Sequence, residues 1–142
     1  MSPNCRNLWR SLLVVAVFGL GGCRASYVDR GAALYANHNY VEADELFEHN
    51  EGRLKTASSS ERARYALYRG VTLLSLGDSS RARYWLGYAS RCADRDADAL
   101  SEEERATLDR ALETHAKYEA RIAEHRNSEN ASASLETAPT AQ

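Results

Sequence analysis

The chain has few residues that would interrupt helices. Only two of its 142 residues are proline, Pro3 and Pro139, and both lie close to an end of the sequence. A proline inside a helix removes a backbone hydrogen bond and clashes with the preceding turn. No stretch alternates apolar and polar residues as a half-buried strand would. These two absences favour an all-α fold.

A long apolar run is also missing. The longest one, Ser11 to Gly22, has twelve residues without charge, whereas a helix needs about 20 to cross the hydrocarbon core of a bilayer. Arg6 and Arg10 precede this run. A basic start followed by a short apolar segment is typical of a signal peptide. Residues 1–22 are therefore predicted to be a targeting segment that is removed from the mature protein.

The sequence lacks the groupings that support catalysis or metal binding. Its four histidines are scattered, without ligand spacing. Asp94, Asp96 and Asp98 alternate like the start of a calcium loop, but Ala99 replaces the required glycine and Arg105 the required glutamate. We interpret this stretch as an acidic loop between helices. There is also no phosphate loop and no nucleophile elbow, so we expect no enzyme, no metal and no cofactor.

What the chain does contain is helical periodicity, clearest between Ala66 and Ala89. Apolar residues recur there at helical spacing in two stripes, with Gly77 and Asp78 predicted to end one helix and cap the next. Gly70 interrupts the first stripe, although glycine destabilises a helix by about 1 kcal/mol relative to alanine. We expect Gly70 and Ala82 to let the two helices approach closely.

The same pattern occurs once upstream, at a constant offset. Gly31 and Gly70 are 39 positions apart, as are Ala43 and Ala82. We place the extra residues of this period in a joint around 55–60. The upstream turn is Asn37-His38-Asn39-Tyr40, in which asparagine is expected to adopt the left-handed conformation. Asn39 is predicted to cap the following helix, with Glu42 three residues on.

A third helix is predicted from Ser101, which begins a capping box with Glu104. Two charged pairs at i,i+4, Arg105–Asp109 and Glu113–Lys117, support it. Its single apolar stripe suits a helix that covers the last repeat: Leu108, Ala111, Leu112, His115, Tyr118 and Ile122. Residues 127–142 are small and polar without periodicity, so they are predicted to form a disordered tail. The helical domain is thus placed at 27–126.

The repeated hairpin, with its small residues, Gly-Asp turn and bulky residue four positions after an alanine, resembles the tetratricopeptide repeat (TPR). That resemblance implies a short all-α solenoid of two helical hairpins plus a C-terminal capping helix. It also implies a concave groove, lined by the first helix of each hairpin, that holds a peptide or helix of another protein. The implied groove residues are Tyr35, Asn37, Arg62, Tyr65, Arg69 and Thr72. The alternative is that Tyr35, Tyr65 and Tyr68 pack in the core.

The sequence Leu20-Gly21-Gly22-Cys23 resembles the lipobox of bacterial lipoproteins. The resemblance implies that Cys23 is lipidated, that the mature chain begins there, and that residues 23–26 link the lipid to the first helix. Arg24 rather than aspartate follows the cysteine, which favours the outer membrane, with the domain facing the periplasm. Cys5 would leave with the signal, and Cys92 would then lack a disulfide partner. We expect Cys92 to be buried as a small apolar residue.

Charge is unevenly distributed along a chain whose net charge is −2. Residues 60–95 contain seven arginines and three acidic residues. One interpretation is that this basic middle faces an acidic partner or lipid headgroups. The other is that it complements the acidic helices on either side of it.

These features together predict a membrane-anchored interaction scaffold in the bacterial envelope, which assists assembly of an outer-membrane or secretion/pilus complex. Its expected partner is an envelope protein or peptide, and neither nucleic acid nor a small-molecule substrate is expected. Two alternatives stay open from the sequence. One is a self-associating structural lipoprotein without a peptide ligand, and the other is a regulatory subunit of an envelope enzyme.

Overall fold

A computed structural model describes the backbone of residues 26–136 and the side chains of residues 26–130. This part of the chain is all-helical. Two helical hairpins, α1–α2 and α3–α4, are followed by one long helix, and the bounds are α1 Tyr27–Ala36, α2 Tyr40–Asn50, α3 Ser59–Ser75, α4 Ser79–Arg95 and α5 Glu102–Glu136. A 3₁₀ helix, Glu51–Lys55, joins the hairpins. The predicted signal segment, Cys23 and residues 137–142 lie outside the described residues.

The two hairpins repeat one packing arrangement. A Cβ atom added to Gly31 would clash with the outer edge of the Phe47 ring, and one added to Gly70 would lie 2.7 Å from a methyl carbon of Leu86. Phe47 and Leu86 are 39 positions apart, like the two glycines. Each hairpin therefore closes on a glycine of its first helix and a bulky residue of its second. The expected packing role of Gly70 is confirmed.

The turns of the two hairpins are also 39 positions apart, at His38 and Gly77. Gly77 has a φ of 81° and His38 has a φ of 63°, and Asp78 accepts a hydrogen bond from the Arg81 amide as the predicted cap of α4. The prediction that asparagine takes the left-handed position is wrong, since His38 occupies it. Asn39 precedes α2 as predicted, but its side chain makes no capping hydrogen bond. The joint between the hairpins covers residues 51–58, of which 51–55 form the 3₁₀ helix, so it begins earlier than the predicted 55–60 but overlaps it.

Aromatic side chains make the centre of the core. Tyr65 of α3 lies edge-on between Phe47 and Trp85, with ring centroids 5.2 and 5.3 Å away, and Tyr27 lies 6.1 Å from it. The Tyr65 side chain is fully buried. One residue of the second hairpin thus joins α1, α2 and α4.

The last helix begins as predicted and ends later than predicted. Ser101 and Glu104 form the capping box, with N–O distances of 3.0 and 3.2 Å. Leu108, Ala111 and His115 are buried, whereas every residue from 116 to 130 is exposed. The helix continues through Glu136, so the prediction of a disordered tail is wrong for residues 127–136.

Candidate interaction groove

A groove lies between the first helices of the hairpins and α5. Its floor is the C-terminal half of α3, and α1 and α5 form its sides. The central cavity has a volume of about 360 Å³. Its lining comes from three helices: Tyr35, Val71, Leu74, Ser75, Thr107, Arg110, Ala111 and Thr114. Val71 and Leu74 supply apolar surface, and the hydroxyl groups and Arg110 supply polar groups that can orient a bound chain segment.

The groove continues along α5 beyond the tips of the hairpins. A second cavity of about 170 Å³ lies between Leu74, Gly77, Ser79 and Tyr118. A third, more open one of about 530 Å³ lies along Lys117, Ala120 and Arg121. Thr114 lines all three cavities. We use the name α5 groove for this continuous surface.

Ion pairs fix the sides of the α5 groove towards the start of α3. Arg64 lies 2.9 Å from Asp29 of α1 and 2.7 Å from Glu104 of α5. Tyr68 donates a hydrogen bond of 3.4 Å to the same Glu104 carboxylate. Burial acts to raise the pKa of Glu104, but the hydrogen bonds and charge of Arg64 and the capping bond from Ser101 lower it below its ordinary value. Glu104 therefore stays ionised and holds α5 against α3.

Tyr35 contributes a neutral hydroxyl group to the groove. Its ring lies 5.6 Å from that of Tyr40 and 6.5 Å from that of Tyr68. Burial, and next the neighbouring Tyr40, raise the pKa of Tyr35 above its ordinary value. The hydroxyl group is protonated at neutral pH, so it can both donate and accept a hydrogen bond.

Of the six residues predicted to line a groove, only Tyr35 does so. Asn37 is exposed in the turn between α1 and α2, where its side-chain amide donates to the Ala33 carbonyl at 2.9 Å. Arg62 is half-buried on α3, outside the groove lining. For these two residues, helix position alone did not reveal which way the side chain points.

Tyr65, Arg69 and Thr72 are buried, so their prediction as groove residues is wrong. Their side chains are 0–3 % exposed. The Thr72 hydroxyl donates to the Tyr68 carbonyl at 2.7 Å, and Tyr65 donates to the Phe47 carbonyl at 2.7 Å. They lie on the side of α3 that the first hairpin and α4 cover. For Tyr65, the core packing considered as the alternative is confirmed.

Arg69 forms a buried charged cluster that joins the hairpins. Its guanidinium lies 2.5 Å from Glu51 and 2.8 Å from the Tyr65 hydroxyl, and stacks 4.7 Å from the Trp85 ring centroid. Asp44 approaches to 3.6 Å without a hydrogen bond. A buried guanidinium is tolerated because acidic groups and an aromatic face replace its hydration.

Three of the seven arginines between residues 60 and 95 pair with neighbouring elements. Arg64 pairs with Asp29 and Glu104, and Arg69 pairs with Glu51. Arg81 lies 3.5 Å from Asp44 and 2.6 Å from Asp78. For these three arginines, complementarity between hairpins explains the charge pattern. Arg83, Arg91 and Arg95 are exposed on α4.

The sequence interpretation missed the α5 side of the groove. It treated α5 as a cap with one apolar stripe and a charged remainder. A second stripe was present in the pattern: Arg110, Thr114, Lys117 and Arg121 recur at i, i+4, i+7 and i+11. Residues at that spacing share one helix face. Helical spacing of polar residues, rather than apolar ones, was the signal that could have found it.

His115 joins α5 to the start of α4. Its Nε2 atom lies 3.1 Å from the Ser79 carbonyl oxygen and 3.0 Å from the Ser79 hydroxyl, which donates to Glu119 at 2.7 Å. Glu119 approaches the same ring nitrogen, at 3.7 Å. A carboxylate that oriented a catalytic histidine would instead bind the opposite nitrogen, so this cluster has the geometry of a structural link.

Cys92 is buried, as expected, and is a free thiol. In the acidic loop, the Asp96 carboxylate accepts a hydrogen bond from the Asp98 amide at 3.1 Å. Glu113 and Lys117 form the predicted pair at 2.7 Å. Arg105 donates instead to the backbone carbonyls of Ala93, Asp96 and Ala97, so its predicted pairing with Asp109 is wrong.

Comparisons with protein-family models, with curated proteins and with solved structures found no match to this chain. Among residues 26–136, none of the helices combines the length and the apolar character needed to cross a bilayer.

Proposed function

We propose that the protein is a lipid-anchored adaptor of the bacterial envelope that holds a segment of another protein in the α5 groove. The single observation that carries this proposal is the groove itself. It combines apolar floor residues with hydroxyl groups and cations, and in the described residues no side chain of the protein fills it. A concave surface of this composition is suited to binding a peptide or helix. The resemblance of the hairpins to TPR units supports the same role.

The anchoring part of the proposal rests on the lipobox-like sequence before Cys23. Two or three acyl chains on that residue would hold the protein at a membrane, because one myristoyl-sized chain alone binds only reversibly. We assign it to the outer membrane, facing the periplasm, on the basis of Arg24. We expect the full chain in the membrane fraction, with the mass of a chain that begins at Cys23 and carries a lipid there. A Cys23→Ser chain that is processed, modified and bound to the membrane as fully as the wild-type chain would contradict anchoring.

The interaction part is tested by filling the groove. Thr114→Trp places a large ring where the three cavities meet. Ala116→Trp is the matched control, because residue 116 is exposed and lies about 160° around the helix from residue 114. An affinity-tagged chain is purified from solubilised membranes, and co-purifying proteins are identified. We expect a partner that is recovered with the wild-type and Ala116→Trp chains and lost with Thr114→Trp.

Both variants must keep the wild-type thermal unfolding midpoint for that comparison to be valid. If Thr114→Trp retains the partner as fully as Ala116→Trp does, binding through the α5 groove is contradicted. The same holds if the wild-type chain recovers no partner.

A second candidate function is self-association, which one observation favours. Tyr118 and Ile122, on the predicted apolar stripe of α5, are each 41 % exposed. A second copy of the chain would cover them in a symmetric dimer. Sedimentation of the purified protein discriminates between the two functions. A monomer at micromolar concentration supports the adaptor, whereas a dimer that Ile122→Glu dissociates supports self-association.

A further inference from the structure

The charged lining of the α5 groove has one sign. Arg110, Lys117 and Arg121 line its three cavities, and no acidic side chain among the described residues does so. The chain as a whole has a net charge of −2. The basic character of the groove is therefore a local property.

These three cations differ from the arginines of the core because the protein does not neutralise them with buried acids. Arg110 donates to the Thr107 hydroxyl at 3.1 Å. Lys117 pairs with Glu113, but both side chains are about two-thirds or more exposed, and an exposed pair of this kind is weak and readily exchanged. Arg64, by contrast, is held between Asp29 and Glu104. The groove cations are available to a binding partner.

The spacing of the three groove cations along α5 suits a bound segment of polypeptide chain. Residues 110 and 121 are about 16 Å apart along α5, at 1.5 Å per residue. The apolar side chains of Val71 and Leu74 lie beside them on the floor. We propose that the α5 groove binds an acidic amphipathic segment of a partner protein, with carboxylates paired to Arg110 and Arg121 and an apolar side chain over Leu74. This inference rests on the proposed function and specifies the chemistry of its ligand.

Two other possible ligands of the α5 groove, the C-terminal residues of this chain and a bilayer surface, fit less well. The C-terminal residues 137–142 contain no acidic side chain, so they cannot supply side-chain carboxylates to both Arg110 and Arg121. A bilayer surface is broad and contacts protruding residues, whereas Arg110 and Arg121 each border a cavity that also includes Leu74 of α3. Arginine pairs with carboxylates through two parallel hydrogen bonds, which a side chain on a bound segment can supply.

The test measures binding of two labelled peptides to the full chain by fluorescence anisotropy. One peptide is a twelve-residue sequence of glutamate, leucine and alanine, and the other has glutamine at every glutamate. We expect the glutamate peptide to bind at least tenfold more tightly, and this preference to shrink as salt rises. The double variant Arg110→Glu/Arg121→Glu should abolish the preference. Arg126→Glu, about 140° around α5 from Arg121, should keep it.

Equal affinities for the two peptides, absence of binding, or equal loss in Arg126→Glu and the double variant would overturn the inference. So would preferential binding of anionic phospholipid vesicles through Arg110 and Arg121. The charge of the partner segment that is captured in the groove distinguishes this inference from the proposed function. A partner that Thr114→Trp releases, but whose captured segment is neutral or basic, overturns the acidic specificity and leaves the adaptor function standing.

Discussion

The packing of α3 against α4 depends on the missing side chain of Gly70. An added Cβ atom would lie 2.7 and 2.8 Å from carbon atoms of Leu86 and 3.2 Å from its backbone nitrogen. Gly87, inside α4, has only the flexible end of Arg91 within 4 Å of an added Cβ, at 3.3 Å. The two positions share helical backbone and differ in the space around them.

We therefore expect opposite effects from the same substitution. Gly70→Ala should lower the free energy of unfolding by about 1–3 kcal/mol, because overpacking exceeds the gain in helix propensity. Gly87→Ala should raise it by up to about 1 kcal/mol. Urea unfolding followed by circular dichroism measures both. A stabilised Gly70→Ala chain would mean that α3 and α4 are not in close contact there.

We also expect substitutions in the buried cluster around Arg69 to destabilise the protein. Arg69→Met should lower the free energy of unfolding by about 1–3 kcal/mol, since Glu51 and the Tyr65 hydroxyl group lose their hydrogen bonds to the guanidinium. Asp44 loses one cation but keeps Arg81 at 3.5 Å. Tyr65→Phe removes one hydroxyl that bonds both Arg69 and the Phe47 carbonyl, and should lower it by about 1–3 kcal/mol. Urea unfolding monitored by Trp85 fluorescence checks both values. Stabilities within 0.5 kcal/mol of wild type, on the scale of ordinary surface changes, would contradict a buried cluster.

At the scale of helices, the period and the caps at Asp78 and Ser101 were readable from the sequence. The predicted cap at Asn39 makes no hydrogen bond, and side-chain direction was only partly predictable. The Gly70 and Asp78 assignments follow from local sterics and hydrogen bonding, which a few neighbouring residues determine. The burial of Arg69 does not, because it depends on Glu51 and Trp85 arriving from other elements. The groove cations on α5 were missed because apolar spacing was used to define its faces.

The length of α5 was also underestimated, for a different reason. Residues 116–130 are exposed, so no buried stripe marks this part of the helix. Its helical state instead depends on continuation from the packed turns around Leu108 and Ala111, since adding residues to an existing helix avoids the unfavourable nucleation step. Apolar periodicity detects only helices that bury a face.

The exposed half of α5 should contribute little to the stability of the body. A chain that ends at Ala123 is expected to unfold within about 0.5 kcal/mol of the full chain, with the helical signal reduced in proportion to the residues removed. A chain that ends at Thr107 loses the buried Leu108, Ala111 and His115 and should be destabilised by several kcal/mol. Circular dichroism with urea titration measures both. A large loss in the Ala123 truncation would show that the projecting residues pack on the body.

For the whole molecule, the pKa shifts give the pH range of stability. Burial, and next the charge of Glu61, raise the pKa of Tyr27 to about 12, and burial raises the pKa of Tyr65 further still. The unfolded chain releases these protons near pH 10, so it binds fewer protons than the folded chain above that pH. Stability should therefore fall as pH rises above about 10. Glu104 acts oppositely, because its lowered pKa makes stability fall as pH drops below about 4.5.

Two substitutions separate the alkaline and the acid parts of this dependence of stability on pH. Tyr27→Phe should reduce the slope of stability against pH on the alkaline side and leave the acid side unchanged. Glu104→Gln should do the reverse, at the expense of lower stability at neutral pH, where the Arg64 ion pair is lost. Urea midpoints measured between pH 3 and pH 11 provide the profile. An alkaline slope unaffected by Tyr27→Phe would show that this tyrosine is not protected by the fold.

The central claim is that the α5 groove holds a segment of another protein, and photo-crosslinking in the producing cell tests it most directly. A photoreactive amino acid is placed at residue 114 in the groove or at residue 116 on the far side of the same helix. The account predicts a protein adduct from residue 114 that is absent from residue 116, with the crosslinked peptide rich in aspartate or glutamate. No protein adduct from residue 114, or the same adduct from both positions, would contradict it.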